Sequence, residues 1–355
     1  MVKAISSSNA AVKRLRVQAY PVFEDVDTLN DFLARAAWHF SHVPEIELYV
    51  PLATGFTQPE RFDVPSGFDN RVQGFLDTYV ARVRFQSNQT QAKSIKLLEL
   101  ADIVLKWKEG DAEVDKAVAQ AKKQVYRVDP VKVRQEGSFF IQCAFDLYSR
   151  KESAIEECKI KFERLASQLG RRETAWVMAT GPSVEGYRAH SFKDSVVIVC
   201  NSVVLNDELM EFCKPSILVF ADPIFHFGVS QYAGKFREVV EQRLATTSIQ
   251  IVVPFKYYPL LVAKFPQYQD RIIGVPFEKV PRFNFDLTKS FHVKTTANIL
   301  TLLLLPVATT FADRIRITGC DGRPLEENDY FWGHGKSVQI NDKMENIQVV
   351  HPGFF

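Results

Sequence analysis

Apolar runs and amphipathic stretches alternate along the whole chain. Residues 15–19 alternate apolar and polar side chains, as a half-buried strand does, and residues 25–39 then show helical spacing behind an aspartate that can cap a helix. Similar patterns before residue 150 predict strands at 45–50 and 125–128 and helices at 94–105 and 110–124. The first 150 residues therefore indicate a small α/β domain.

The second half of the chain is richer in short β-branched runs, which lie at 174–179, 195–200, 216–220, 248–253, 271–275 and 314–318. Most of them lack a clean alternation, which is typical of parallel strands that helices cover on both faces. Residues 299–312 predict a buried helix because this apolar stretch is too short to span a bilayer. Residues 346–350 (NIQVV) have the composition of a strand.

These patterns predict an α/β fold built from two Rossmann-like domains that face a cleft. The N-terminal domain spans residues 1–150, and a helix at 151–170 that ends at Gly170 connects it to a Rossmann-like domain at 171–355. A length of 355 residues also suits two domains.

Charge and cysteine content narrow the classes of partner. Lys and Arg number 44 against 42 Asp and Glu, and a net charge of +2 lacks the basic surplus of a nucleic-acid binder. The five cysteines lie far apart without a C-x-x-C pair, which argues against a zinc site or a disulfide framework. No apolar run suits a signal peptide or a transmembrane segment, so we expect a cytoplasmic protein.

Turn-forming and polar residues follow several predicted strands. Thr180-Gly181-Pro182-Ser183 comes after 174–179, Asn201 after 195–200, and Asp222-Pro223 shortly after 216–220. Because ligands of open α/β sheets bind at the carboxyl ends of the strands, these residues are candidates for a nucleotide site, with N–H groups at Gly181 and Ser183 holding a phosphate. Each position also has a plainer interpretation as part of a tight turn.

A loop-like stretch after residue 318 concentrates reactive side chains. Asp321, Tyr330, Trp332, His334 and Lys336 follow one another without a helical or strand period. Loops dense in such residues tend to carry function. His334 beside Lys336 suits phosphate binding or proton transfer.

In order and spacing, these residues resemble the bacterial CMP-sialic-acid-dependent sialyltransferases. That family has an Asn-Gly-Pro-Ser turn, an Arg-Cys-Asn strand end, an Asn-Pro pair and a Gly-His-Ser-Lys loop whose histidine is the proposed base. The matching positions are Gly181, Pro182, Ser183, Asn201, Pro223, Asp321, His334 and Lys336. Thr180 and Asp222 depart from the pattern, since both positions are asparagine in that family, and the match covers only the C-terminal half.

The chain also resembles the retaining β-Kdo transferases of bacterial O-antigen and capsule assembly, which fit the presence of Asp222 and of a long N-terminal half better. They are similar in having an added N-terminal domain in a GT-B-like arrangement, a CMP-sugar domain of sialyltransferase type and a catalytic aspartate. The resemblance implies CMP-Kdo as donor, a glycan or lipid-linked glycan as acceptor, and no metal or other cofactor. It makes Asp222 the nucleophile, and the string RQEGSFF makes Glu136 the base that deprotonates the acceptor.

The resemblance extends to the rest of the donor site. Thr295 and Thr296, before the apolar helix, match a nucleotide-binding segment. The full implied set of donor-binding residues is Thr180, Gly181, Pro182, Ser183, Asn201, Thr295, Thr296, Asp321 and Lys336. Candidates to bind the Kdo carboxylate are Lys235, Arg237, Lys256 and Lys294.

Three other functions stay open. An inverting sialyltransferase-like enzyme would use His334 as its base, whereas in the retaining enzyme His334 would assist the departing phosphate. A pterin pyrophosphokinase-like enzyme would bind ATP with Mg²⁺ instead of a CMP-sugar. A glycan-binding module would have no activity. For the transferase, we also expect fusion to or association with other glycosyltransferase modules, and a location in the bacterial cytoplasm, including its membrane's inner face.

Overall fold

The structure is a computed structural model that describes residues 14–120, 122–322 and 340–354. The chain divides into two compact units, the first spanning Met1–Pro65 and Val72–Ser149 and the second Ser66–Arg71 and Arg150–Phe355. The predicted α/β class is confirmed, because each unit contains its own parallel sheet.

The N-terminal unit has a five-stranded parallel sheet. Its strands are β1 Leu15–Tyr20, β2 Ile46–Ala53, β3 Arg84–Gln89, β4 Ile103–Lys106 and β5 Gln124–Arg127. They lie in the order β3-β2-β1-β4-β5, so the strand order reverses at β1. This order is the one expected of a Rossmann-like half.

The helices of this unit are α1 Val26–Phe40, α2 Arg71–Tyr79, α3 Gln91–Glu99, α4 Ala112–Gln120 and α5 Glu136–Asp146. The predicted aspartate cap of α1 is present, since the Asp25 carboxylate accepts a 2.7 Å hydrogen bond from the N–H of Thr28. The prediction of a helix over 94–105 is wrong in its second half. Residues 103–106 are buried on both faces as a strand beside β1, and their apolar run has no polar face for a surface helix to expose.

The C-terminal unit has a six-stranded parallel sheet. Its strands are β6 Arg172–Met178, β7 Val196–Cys200, β8 Ile217–Val219, β9 Gln250–Pro254, β10 Ile272–Val275 and, after a small pair of strands, β13 Ala312–Thr318. The order is β10-β9-β8-β7-β6-β13. The small pair consists of β11 Phe277–Glu278 and β12 Val293–Lys294.

The helices of this unit are α6 Lys151–Leu169, α7 Asp207–Cys213, α8 Gln231–Thr246, α9 Tyr258–Lys264, α10 Leu305–Phe311 and α11 Met344–Val350. A π-helical turn, Leu300–Leu304, leads into α10, so the predicted apolar helix is present. Helix α6 ends at Gly170, which has a φ of +61°, and the helix belongs to the C-terminal unit.

Two features of this unit differ from the sequence patterns. The run NIQVV lies inside helix α11 rather than in a strand, because Ile347 and Val350, three residues apart, become one buried helical face. A short segment from the first half, Ser66–Arg71, also belongs to this unit. Its Asp69 carboxylate lies 3.0 Å from the buried guanidinium of Arg237.

Candidate functional site

The C-terminal sheet reverses its strand order at β6. The chain adds β7 to β10 on one side of β6, whereas β13 pairs with β6 on the other side. Met178 and Thr318 are partners in register, so the carboxyl ends of β6 and β13 lie side by side. Ligands of open α/β sheets bind at such a reversal. The loops that follow these two strands, residues 179–183 and 319–322, are here named the switch-point loops.

Three hydrogen bonds join the two switch-point loops, and a fourth joins Thr318, the last residue of β13, to the first loop. The N–H of Gly181 donates to the carbonyl of Gly319 (2.7 Å), and the N–H of Ser183 donates to Oδ2 of Asp321 (2.8 Å). In return, the N–H of Gly319 donates to Oγ of Ser183 (2.9 Å), and Oγ1 of Thr318 donates to the Ser183 carbonyl (3.1 Å). The loops therefore form one connected turn structure.

These bonds bear on the predicted phosphate contacts. The N–H groups of Gly181 and Ser183 both donate within the protein, and Pro182 between them has no N–H. A phosphate bound by the Ser183 N–H would have to displace the Asp321 carboxylate. The assignment of Thr180, Gly181, Pro182, Ser183 and Asp321 to donor binding remains a prediction.

Close packing of the loops explains two of their glycines. A Cβ atom on Gly319 would overlap the carbonyl oxygen of Ala179, and the φ of Gly319 is +74°, a region that favours glycine. A Cβ on Gly181 would overlap Oδ2 of Asp321 and lie 2.7 Å from the Gly319 carbonyl oxygen. Neither position tolerates a side chain in this arrangement.

Asn201 follows β7, the strand beside β6. Its φ of +48° is a left-handed conformation that asparagine adopts more readily than most residues. Its side-chain Oδ1 is buried and accepts no hydrogen bond from the described part of the chain. A buried acceptor without a donor is costly, and such groups are often completed by a ligand or by water.

Asp222 follows β8, one strand further along the same edge. Its Oδ1 accepts hydrogen bonds from the N–H groups of Ile224 and Phe225, both 2.8 Å long. Burial raises the pKa of the Asp222 carboxyl above its ordinary value, although these two N–H groups and the nearby His351 oppose that shift. Asp222 thus combines a fixed orientation with a carboxyl group that protonates more readily than usual.

His226 holds the same turn from within, and the sequence analysis did not select it. Its Nδ1 accepts a 3.0 Å hydrogen bond from the backbone N–H of Asp222. Burial, assisted by the neighbouring Arg237, lowers the pKa of His226 to about 3, so the ring is neutral near pH 7. The sequence offered one hint of this contact, a histidine four residues after Asp222.

Arg237 cannot serve as a free cation for a donor carboxylate. It is fully buried and donates to the carbonyls of His226 (3.1 Å) and Gly228 (2.7 Å) as well as to Asp69. Of the other candidates, Lys294 donates to the carbonyl of Pro281 (2.8 Å).

The C-terminal segment packs against the Asp222 turn. The Phe354 ring contacts the Phe225 ring at 5.4 Å between centroids, and a Cβ on Gly228 would lie 3.0 Å from Nε2 of His351. His351 is buried and exerts a favourable charge interaction on Asp222. The sequence pattern of residues 346–350, which has the composition of a strand, carries no signal of this contact.

Of the remaining predicted donor-site residues, the structure describes Thr295 and Thr296. Thr295 follows β12, and its N–H and hydroxyl both donate to the Glu278 carbonyl, whereas the Thr296 hydroxyl donates to the Asn298 carbonyl. Both threonines precede the π-helical turn that leads into α10. His334 and Lys336 lie outside the described residues.

Glu136 lies in the N-terminal unit as the first residue of α5. Its Oε1 is 2.6 Å from the Arg35 guanidinium, and the side chains are 1% and 2% exposed. Arg35 also binds Asp31 at 3.0 Å. Glu136 is therefore not an exposed loop residue, and its buried carboxylate has the guanidinium partner that burial of a charge requires. Its role as a base remains a prediction.

Two searches of the described residues bear on cofactors and membranes. No cluster of three or more His, Cys, Asp or Glu side chains suited to a metal ion occurs among them. None of the helices in the described ranges has both the length and the apolar composition needed to cross a bilayer.

Fold and site together define an α/β protein with two parallel-sheet units and polar groups at the carboxyl edge of the second sheet. No family model and no curated protein matches the sequence. Similar solved structures include a glycosyl transferase of family 9 from Veillonella parvula, at 11% identity over 75% of this chain and 86% of that one, with a TM-score of 0.21.

Two binding proteins are similar at the same level. The periplasmic heme-binding protein BhuT, in complex with two hemes, matches at 14% identity over 66% of this chain and 98% of its own, with a TM-score of 0.23. An ABC transporter substrate-binding protein from Listeria monocytogenes matches at 13% identity over 84% of this chain and 96% of its own, with a TM-score of 0.21. Similarities this low define neither a family nor a function.

Proposed function

We propose that this protein is a glycosyltransferase that transfers Kdo from CMP-Kdo to a bacterial surface glycan with retention of configuration. One observation carries the proposal. The described residues that the sequence motifs single out, at positions 180–183, 201, 222 and 321, all follow strands of one parallel sheet. They follow β6, β7, β8 and β13, which are consecutive in that sheet, and thus share its ligand-binding edge.

The environment of Asn201 supports a nucleotide at this edge. Its buried Oδ1 needs a donor, and the exocyclic amino group of cytosine or a ribose hydroxyl provides one. CMP carries a single phosphate, which a few N–H groups or one cation can neutralise. Lys336 and His334 are the proposed cationic contacts, as the sequence resemblance implies.

The hydrogen bonds of the Asp222 turn support its role as nucleophile, because they favour the ionised carboxylate against the opposing effect of burial. The N–H groups of Ile224 and Phe225 donate to Oδ1, whereas Oδ2 accepts no hydrogen bond from the described residues. In the proposed first step this oxygen bonds to the anomeric carbon, the bond from that carbon to the phosphate oxygen breaks, and CMP departs with the electron pair. In the second step an acceptor hydroxyl displaces Asp222 and loses its proton to a base. Two inversions give net retention.

Glu136 is the proposed base, in keeping with the acidic motif of the N-terminal domain. Its Oε1 is held 2.6 Å from the Arg35 guanidinium, so a base at this position must exchange that partner for the acceptor hydroxyl. Reaching an acceptor hydroxyl requires that this carboxylate become accessible when substrate binds.

An inverting reaction is the second candidate, because of the same Asp222 turn. An asparagine at position 222 would accept both N–H bonds through its amide oxygen, so the turn itself does not require a carboxylate. In that reaction His334 would be the base and residue 222 would only shape the site.

The Asp222→Asn variant separates the two reactions, because it keeps the turn and removes the nucleophile. With CMP-Kdo as donor, we expect transfer to fall below detection while CMP still raises the melting temperature as it does for the wild type. Near-normal turnover would eliminate the double displacement. NMR of the wild-type product would then show inversion rather than retention.

Thermal shifts with different nucleotides test the donor class. A ligand at a hundred times its Kd stabilises the folded state by about 2.7 kcal/mol. We expect CMP to stabilise more than UDP or ATP. Stabilisation by ATP with Mg²⁺, but not by CMP, would indicate a pyrophosphokinase-like enzyme. Stabilisation by glycans in the absence of any nucleotide would indicate a binding module.

A further inference from the structure

A loop of the C-terminal unit presents two phenylalanines to solvent. The loop runs between β11 and β12, two short strands that pair in parallel. Phe283 is 42% exposed and Phe285 is 61% exposed, and their ring centroids lie 6.4 Å apart. Exposed large aromatic side chains that adjoin one another often mark a surface that binds a partner.

The loop is held in place by its own polar network. The side-chain amide of Asn284 donates to the carbonyls of Ser290 and His292, and its oxygen accepts from the N–H of Asp286 (3.0 Å). Leu287 is buried, and its N–H donates to Oγ1 of Thr310 (2.9 Å). The two rings therefore project from a braced loop, which reduces the entropy lost when they bind a surface.

Positive charge surrounds the two rings. Residues 277–294 contain four Lys or Arg side chains against two acids. Lys294 lies 5.1 Å from the Phe283 ring centroid, and Lys279 and Arg282 are exposed. Asp286 pairs with Lys289 at 3.1 Å, which leaves Lys279, Arg282 and Lys294 against the one remaining acid of this segment, Glu278.

We propose that this loop docks the protein onto an anionic membrane surface. Phe283 and Phe285 enter the boundary between headgroups and acyl chains, while Lys279 and Arg282 bind lipid phosphates. Apolar side chains with flanking cations are the combination that holds peripheral proteins on anionic bilayers. Each cation near such a surface strengthens binding about fivefold.

Vesicle flotation tests the proposal, with the whole protein and without donor or acceptor. We expect the protein to float with vesicles of phosphatidylglycerol and phosphatidylcholine, to float poorly with phosphatidylcholine alone, and to dissociate at high salt. The double variant Phe283→Ser/Phe285→Ser should lose about tenfold in vesicle affinity. The variant Lys279→Glu/Arg282→Glu should lose at least as much.

Phe212→Ser is the matched control. Phe212 is an exposed phenylalanine of the same unit with Arg188 stacked 5.7 Å from its ring, so it resembles the loop in chemistry but not in position. It should float like the wild type, and circular dichroism should show all variants folded.

Two results would overturn the proposal. One is equal flotation of the wild type and the Phe283→Ser/Phe285→Ser variant. The other is equal binding of the wild type to vesicles and to a soluble polyanion such as polyphosphate, with no loss on removal of the rings. Because no sugar donor is present, neither result depends on the transferase activity.

Discussion

The backbone N–H of Ser183 donates a 2.8 Å hydrogen bond to Oδ2 of Asp321, which joins the loop after the first strand of the C-terminal sheet to the loop after the last. The Ser183 hydroxyl reinforces the contact by accepting from the N–H of Gly319. The Asp321 carboxylate therefore occupies the N–H group that we expect a nucleotide phosphate to contact.

Replacing Asp321 should separate its structural role from a role in donor binding. Asp321→Ala removes the acceptor of the Ser183 N–H and should lower the free energy of unfolding by about 1 kcal/mol, because water can partly replace the lost bond at this exposed site. Asp321→Asn keeps an oxygen acceptor and should lose less. Urea unfolding measures both, and equal stability of the two variants would contradict the structural role.

Cys320 reports on the same site, since it lies between Gly319 and Asp321. It is exposed, whereas the other four cysteines are buried. We expect one fast-reacting thiol per folded chain with a disulfide reagent, and none in Cys320→Ser. Partial desolvation of its thiol and the Asp321 charge raise the pKa of Cys320, so the reaction should accelerate as the pH rises above neutral. If CMP binds at the switch-point loops, CMP should slow the labelling, and ATP should not.

Gly319→Ala should destabilise the C-terminal unit for two reasons. Alanine is strained at the positive φ of this position, and its side chain also lacks space. Its new Cβ would overlap the Ala179 carbonyl, and relief requires the two loops to separate. Gly170→Ala is the matched control, because Gly170 also has a positive φ but has open space where a Cβ would go. We expect about 1–3 kcal/mol of destabilisation for Gly170→Ala, because its φ of +61° with a ψ of 173° lies in a region that almost only glycine adopts, and clearly more for Gly319→Ala, by urea unfolding. Equal losses would show that the packing of the loops does not matter.

Acid should destabilise the wild type through His226. Its pKa is about 3 in the folded protein and about 6.5 in an unfolded chain, so between these values the unfolded state binds the extra proton. Stability is therefore lost as the pH falls from about 6.5 towards 3. His226→Asn keeps an acceptor for the Asp222 N–H without a proton site, and its free energy of unfolding should fall less over this range. Parallel pH profiles would show that His226 is not buried as a neutral ring.

Arg35→Met should leave the buried Glu136 without its guanidinium partner. Removing one member of a buried ion pair costs about 3–5 kcal/mol, whereas an exposed pair contributes at most about 1 kcal/mol. The control is therefore Arg84→Met, since Arg84 pairs with Glu47 at 3.0 Å on the surface. The double variant Arg35→Met/Glu136→Gln should recover much of the loss in thermal and urea unfolding. No recovery would mean that the charge of Glu136 is not what Arg35 compensates.

Local sequence patterns predicted most of the elements correctly, because buried parallel strands require apolar runs and surface helices require one apolar face. Strand β3 and helices α2 and α5 were not predicted, and two predicted elements were wrong for different reasons. Residues 103–106 continue an apparent helix in sequence but fill a central position in the first sheet. Residues 346–350 have β-branched composition, yet burial of Ile347 and Val350 on one side makes them helical.

By itself the sequence determined the α/β class, the strand ends at residues 180, 201 and 222, and the turn chemistry that makes these positions candidates. Only the tertiary structure decided which of these groups remain available. It engages Ser183 with Asp321, leaves the oxygen of Asn201 without a donor among the described residues, and buries Glu136 against Arg35. These outcomes depend on contacts between residues up to 138 positions apart, and hydrogen bonds and charge pairs at such separation leave no periodic signal in the chain.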